Sequence, residues 1–341
     1  MASSSSLSMP VALRGLAIAS IVIHHAYGNH SKGWIAVTLG LSGGMAFLLL
    51  LTGFNFARFS LEGGRPDVVR EALWSFAKAM IIPSVAMVLV WGPFVGIDWR
   101  DLLLITNWYP HPGTAMFPVE FSGMIVQMCL MFWLLTWIPG FDRFWKRPLL
   151  ASFLLFATGV LLVRYFPRPD LVNRLPWLYL WDFSLGLLVF FTLRVENQRL
   201  KQLLKPVLLI CVCVAAYIAE GNRMPLYWLV IGLTLFLYVE RIVLPYWLAH
   251  FIKMLSQATF TIFFTHWPLI VLVKRIIPHQ PMLTWILSLS GSLLIWAVIK
   301  AGLQAWEFQR KQNANPWSSQ SLTGSSAESM QSRPAYHTEM A

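Results

Sequence analysis

Arg14 and His25 stand eleven residues apart in "LRGLAIASIVIHHAYGNH", residues 13 to 30, a run that is otherwise largely apolar. Arginine holds anions through charge-assisted, often bidentate hydrogen bonds, and histidine exchanges a proton near neutral pH. Eleven residues turn an α-helix through about 1100°, about 20° from the starting heading, and advance it about 16 Å. The two side chains therefore share one helix face, with a fixed cation toward one end and a titratable base toward the other. His24 falls about 80° off that line and reads as structural or interfacial. No metal is expected from His24, His25 and His30, because adjacent helical residues diverge by about 100° and no carboxylate accompanies them.

The element that must carry this pair is a membrane helix. Of 341 residues, 57% are hydrophobic and only 12% charged, with 17 Trp and 23 Phe. Soluble domains carry about 25% charged residues, so the composition excludes an ordinary soluble enzyme. Apolar runs recur at 11–28, 34–57, 72–95, 117–139, 148–166, 175–194, 206–220, 224–243, 255–274 and 282–306. Most approach the ~20 residues that a bilayer requires, so the expected fold is an all-α, polytopic integral membrane bundle of about ten helices.

A formal net charge of +11 would suggest nucleic acid in a soluble chain. Here the positive-inside rule accounts for it, and no nucleic-acid partner is expected. With the N-terminus inside, eighteen of the 26 Lys and Arg fall on or nearest the inner side, including Arg58, Arg65, Arg70, Lys201 and Lys205. Both termini are thus expected in the cytoplasm, although Arg164, Arg168 and Arg174 run against the bias. Cys129, Cys211 and Cys213 sit in apolar runs and read as small hydrophobes. His-His closes the first apolar run without a small-residue cleavage site, so no signal peptide is expected. Residues 1–310 form the expected membrane domain, and the Ser-rich 311–341 a disordered cytoplasmic tail. No internal repeat is visible, which gives no support to an inverted-repeat transporter.

Four stretches in order now resemble acyltransferase family 3, the membrane acyltransferases that modify O-antigen, nodulation factors and macrolides. "LRGLAIASIVIHH" matches its opening helix, with Arg14 and His25 in the arginine and histidine positions. "GGMAFLLLLTGF" (43–54) is similar to its glycine-led second helix, with Thr52 replacing a serine. "FPVEFSGMIVQMCLMFWLL" (117–135) resembles its fourth span, with Glu120 as the carboxylate. "LSQATFTIFFTHWPLIVL" (255–272) looks like its ninth, with His266 and Pro268 in place. The resemblance covers about residues 10–306. Where the family commonly has a dense arginine run after the second helix, this chain offers Arg70, Lys78 and Pro83. No second extracytoplasmic domain is expected to relay the acyl group.

The resemblance implies transfer of an acyl group, expected to be acetyl, from cytoplasmic acyl-CoA to a hydroxyl of an extracytoplasmic or membrane-associated carbohydrate or glycolipid. It implies a bacterial inner-membrane protein and no permanently bound cofactor. An acceptor hydroxyl needs a base near neutral pKa, the role expected of His25. Arg14 suits an anionic part of the donor, with Arg70 and Lys78 as further donor contacts. Arg14 by itself is equally consistent with snorkelling to the headgroups. Glu120 can orient the imidazole or simply face interfacial water. His266 can take a backbone carbonyl freed by the Pro268 kink or line the substrate path. Asp182 in "YLWDFSLG" is a site candidate that can equally pair with a neighbouring helix. Asn107 and Tyr109, in the aromatic-rich loop between the third and fourth spans, suit sugar stacking or a plain interfacial loop. The rival reading is a transporter or flippase that uses the same polar residues as a path.

Overall fold

The computed structural model describes residues 4–27, 44–61, 65–95, 98–109, 117–166, 175–220 and 226–314. In chain order these form β1 (Ser4–Ser8), α1 (Met9–Tyr27), α2 (Gly44–Phe56), α3 (Pro66–Val95), α4 (Trp99–Leu102), α5 (Phe117–Leu135), α6 (Phe141–Trp145), α7 (Pro148–Tyr165), α8 (Leu180–Leu193), α9 (Gln198–Glu220), α10 (Leu226–Tyr238), β2 (Arg241–Pro245), α11 (Tyr246–Ile276) and α12 (Pro281–Ala314). A five-residue π-helical turn, Ala57–Leu61, extends α2. Each of the ten expected spans has its helix, and residues 34–43 of the second expected span lie outside the described residues. The chain is a multi-pass helical membrane protein.

Among the described residues, seven helices are long and apolar enough to cross a membrane, and α5, α8 and α10 contribute shorter apolar helices. α8 spans about 21 Å at 1.5 Å per residue, short for a bilayer. Its side chains are enclosed on nearly every face, from Leu180 through Phe190 without interruption. A helix apolar all round belongs in the middle of a bundle, and α8 sits between α2 and α7.

Small residues set these approaches, as they do between membrane helices generally. Gly53 of α2 lies against the backbone of Phe183, and Gly186 of α8 against the carbonyl of Leu50. Gly15 does the same between α1 and α11, where a Cβ would come within 2.5 Å of the Ile252 carbonyl. Several hydroxyls inside the spans turn to their own helices: Thr52 donates to Leu48 O at 2.8 Å, and Thr265 to Thr261 O at 2.8 Å. That satisfies polar groups where no water competes.

The two-stranded sheet was not expected. β1 and β2 pair antiparallel, from Ser4↔Pro245 to Ser8↔Arg241, and Met9 N donates to Glu240 O at 2.9 Å. The eighth span accordingly ends at Tyr238 rather than 243. Ile242 and Val243 are β-branched and favour a pleated strand, and Pro245 precedes the first turn of α11. The sheet ties the starts of α1 and α11 together. The two helices then run parallel, with Gly15 at Ile252 and Ser256, and His25 at His266.

Residue contacts divide the chain into Met1–Ile295 and Trp296–Ala341. In the second unit the described chain is the end of α12, where Lys300 lies over Trp296 at 4.8 Å and Arg310 over Trp306 at 5.7 Å. The tail expected from residue 311 is helical as far as Ala314, and the rest of it lies outside the described residues.

Candidate active site

The parallel pairing of α1 and α11 brings two histidines together. His25 Nδ1 and His266 Nε2 lie 2.9 Å apart in a hydrogen bond. Their planes are 8° from parallel with centres 5.2 Å apart. A nitrogen lies about 1.1 Å from its ring centre, so the N···N contact accounts for that separation only if the rings meet edge to edge in one plane. This is the orientation in which an in-plane lone pair accepts best. Nδ1 of His266 donates in turn to Ile262 O at 2.8 Å. Pro268 frees the carbonyl of Phe264, four residues back, so His266 uses a carbonyl of the intact helix instead.

His266 is completely enclosed, whereas His25 is half-buried and His24 exposed. Trp267 meets the His25 ring edge-on, with centres 5.2 Å apart at 84°. Lys274 Nζ donates to His25 O at 3.3 Å, placing a cation at the carbonyl end of α1, where the helix dipole favours it. Three contacts from α11 thus hold the last turns of α1.

Arg14, near the other end of α1, is half-buried and lines a cavity of about 280 Å³ between α1, α2, α3, α5 and α11. Thr52, Asn55, Ser122, Ser256, Gln257 and Thr259 supply its polar wall. Sequence reasoning left these unassigned, although polar residues at 256, 257 and 259 inside an apolar span were a usable signal. Phe121 and Phe263 also line the cavity, with ring centres 4.7 Å apart. Phe263 lies 6.0 Å from the His266 ring. Phe263 therefore borders both the arginine cavity and His266.

Glu120 is half-buried in the first turn of α5. Its neighbour Phe121 packs on Phe263, one turn below His266, which puts Glu120 at the level of the histidine pair. The arrangement can bind an anion at one end of α1 and move a proton at the other.

A family model described as "Acyltransferase domain" matches residues 12–301, most of the chain. The chain belongs to acyltransferase family 3. This membrane acyltransferase carries its Arg14, His25, Glu120 and His266 all within the matched region. No curated protein and no solved structure matches the chain.

The remaining expected site residues of the acyltransferase lie elsewhere. Arg70 is half-buried and lies about 100° around α3 from Phe76 and Met80, which line the Arg14 cavity. Arg70 instead borders a separate groove against α5, with its guanidinium 4.2 Å from the Trp137 ring. Lys78 is exposed, its ammonium 5.7 Å from the Trp74 ring one turn back. Helical phase, which joins Arg14 and His25, separates these two from Arg14.

Asn107 is buried in a reciprocal amide pair with Gln127 of α5, with bonds of 2.9 and 2.8 Å. Gln127 also donates to Leu104 O at 2.8 Å and accepts from Trp108 Nε1 at 2.8 Å. Leu104 has φ 57°, a left-handed conformation rare for leucine, and its carbonyl sits over Gly123. The amide network fixes this turn, so Asn107 acts here as a staple for the loop. Tyr109 is partly exposed beneath the Arg100 guanidinium at 4.3 Å, beside a Trp108–Trp177 contact at 5.3 Å. Asp182 is buried in the first turn of α8, where a carboxylate complements the helix dipole.

Proposed function

We propose that this acyltransferase moves an acetyl group from cytoplasmic acyl-CoA to a hydroxyl of a carbohydrate or glycolipid across or within the bacterial inner membrane, with both termini cytoplasmic. The observation that carries the proposal is the single helix joining Arg14 in a polar-walled cavity to His25, bonded to His266 at 2.9 Å. Arg14 holds an anionic part of the donor at the inner end by charge-assisted hydrogen bonds. His25 takes the proton of the acceptor hydroxyl as that oxygen attacks the thioester carbonyl. The carbon–sulfur bond then breaks, and the thiolate leaves with the proton returned by the imidazolium. Glu120, at the same level, favours the protonated ring electrostatically. The partly exposed Tyr109, Trp108 and Trp177 offer flat faces suited to a sugar ring.

The test is acyl transfer in proteoliposomes, with labelled acetyl-CoA on the Arg14 side and extracted envelope glycan or glycolipid on the other. Labelled ester in the acceptor that depends on His25 supports the reading. Movement of unmodified acceptor, with no ester formed, would favour the flippase reading and overturn this one.

A further inference from the structure

The bond between His25 and His266 leaves one question of chemistry: which nitrogen of His25 carries the proton. The Ile262 carbonyl can only accept, so His266 Nδ1 must be the donor to it. His266 has no solvent exposure, and an imidazolium there would lose its hydration, so the ring is neutral. A neutral imidazole protonated on Nδ1 offers only a lone pair on Nε2. That lone pair faces His25 Nδ1 at 2.9 Å in the common ring plane. His25 Nδ1 must then be the donor, and its basic lone pair is on Nε2.

We propose that His266 is a positioning residue for His25: anchored by the Ile262 carbonyl, it holds the His25 proton on Nδ1 and presents Nε2 as the base. This rests on the reading of His25 as the base given above. The same bond serves before and after proton uptake. Imidazole and imidazolium both donate from Nδ1, so only Nε2 changes during turnover and no rearrangement is required. A chain of backbone carbonyl, His266 and His25 thus does by hydrogen bonding the orienting that a carboxylate does in a catalytic triad. Without an acceptor at Nδ1 the proton of a neutral imidazole moves to Nε2, and the base is lost.

Histidine-selective ¹⁵N NMR of the full-length protein separates proton-bearing from bare ring nitrogens and needs no substrate. The His25 signals are assigned by their loss in His25→Gln. Wild type is expected to show His25 protonated on Nδ1 and bare on Nε2. His266→Asn can still reach Ile262 but not His25, so the proton should move to Nε2. His266→Gln places a carbonyl oxygen within reach of His25 and should retain it on Nδ1. In acyl transfer, His266→Asn is expected to lower kcat about tenfold or more with little change in donor KM, and His266→Gln to recover most of it. Both variants are polar and of similar size to histidine, and thermal unfolding checks that each folds. A wild-type His25 protonated on Nε2, or a His266→Asn protein with the wild-type tautomer and kcat, would overturn the proposal. Turnover that survived His25→Gln would remove the base assignment and leave the tautomer result standing.

Discussion

Gly53 of α2 lies against the backbone of Phe183 in α8, so closely that a Cβ at position 53 would overlap the Phe183 carbonyl. The atom in the way is backbone and cannot rotate aside. Gly53→Ala therefore loses about 1–3 kcal/mol to overpacking, against which a gain of about 1 kcal/mol in helix propensity is too small to compensate. Gly302→Ala is the control, since a Cβ there meets no described atom within 4 Å. Unfolding in detergent should begin at lower temperature for Gly53→Ala and be unchanged or later for Gly302→Ala. Equal melting of the two would show that α2 and α8 can separate without loss.

The ten apolar helices, seven of them long enough to cross a membrane, were legible because bilayer length and apolar composition are local signals. The β1–β2 sheet was not: "SSSLS" has the polarity of a tail, and "RIVLP" continued an apolar run. Helical phase put Arg14 and His25 on one face of α1; in the structure His25 bonds to α11 and Arg14 lines a cavity that α11 borders. What phase cannot give is the partner, 241 residues away for His25. The same phase reasoning, applied to α3, would have separated Arg70 and Lys78 from Phe76 and Met80, which line the Arg14 cavity. In sequence Asn107 suited a sugar contact as well as a plain interfacial loop, because its partner Gln127 lies inside a different apolar span.

Arg14 should thus dominate donor affinity. Arg14 lines a cavity with six polar side chains, while Arg70 sits against Trp137 and Lys78 is exposed. A hydrogen bond to a charged group contributes about 1.5–3 kcal/mol, roughly ten- to hundredfold in affinity. Equilibrium binding of labelled acetyl-CoA is expected to weaken by that order in Arg14→Ala. Arg14→Lys, which lacks the planar fork, should recover only part of the loss. Arg70→Ala and Lys78→Ala should each change it less than Arg14→Ala. A larger effect at Arg70 would move the donor site to the α3–α5 groove.

The neighbouring histidines should behave oppositely. His24 is exposed at the end of α1, its ring 5.7 Å from that of His25, while His25 is bonded to α11 through both its ring and its backbone. General acid–base catalysis contributes about 10²–10⁴-fold, so kcat in His25→Gln should fall by that order with donor binding retained. His24→Gln should stay near wild type. Matched losses in both would point to damage at the helix end instead of a lost base.

Phe263 lines the Arg14 cavity, packs on Phe121 and lies beside His266, so a donor held at Arg14 is expected to pass these two rings to bring its thioester to His25. Acetyl needs little room there, whereas each added methylene must find volume against two aromatic rings. One methylene in a hydrophobic pocket is worth about 1–3 kcal/mol in discrimination, roughly ten- to two-hundredfold. Phe263→Leu removes ring volume at smaller stability cost than Phe263→Ala, which leaves a cavity costing about 3–5 kcal/mol. The ratio of kcat/KM for butyryl-CoA to that for acetyl-CoA should rise about tenfold or more in Phe263→Leu, and in the same direction for Phe121→Leu. Leu130→Ala is the comparison, because Leu130 is an exposed apolar residue on the same α5 helix and lies outside this cavity. An unchanged ratio in both phenylalanine variants would mean that chain length is measured elsewhere along the path.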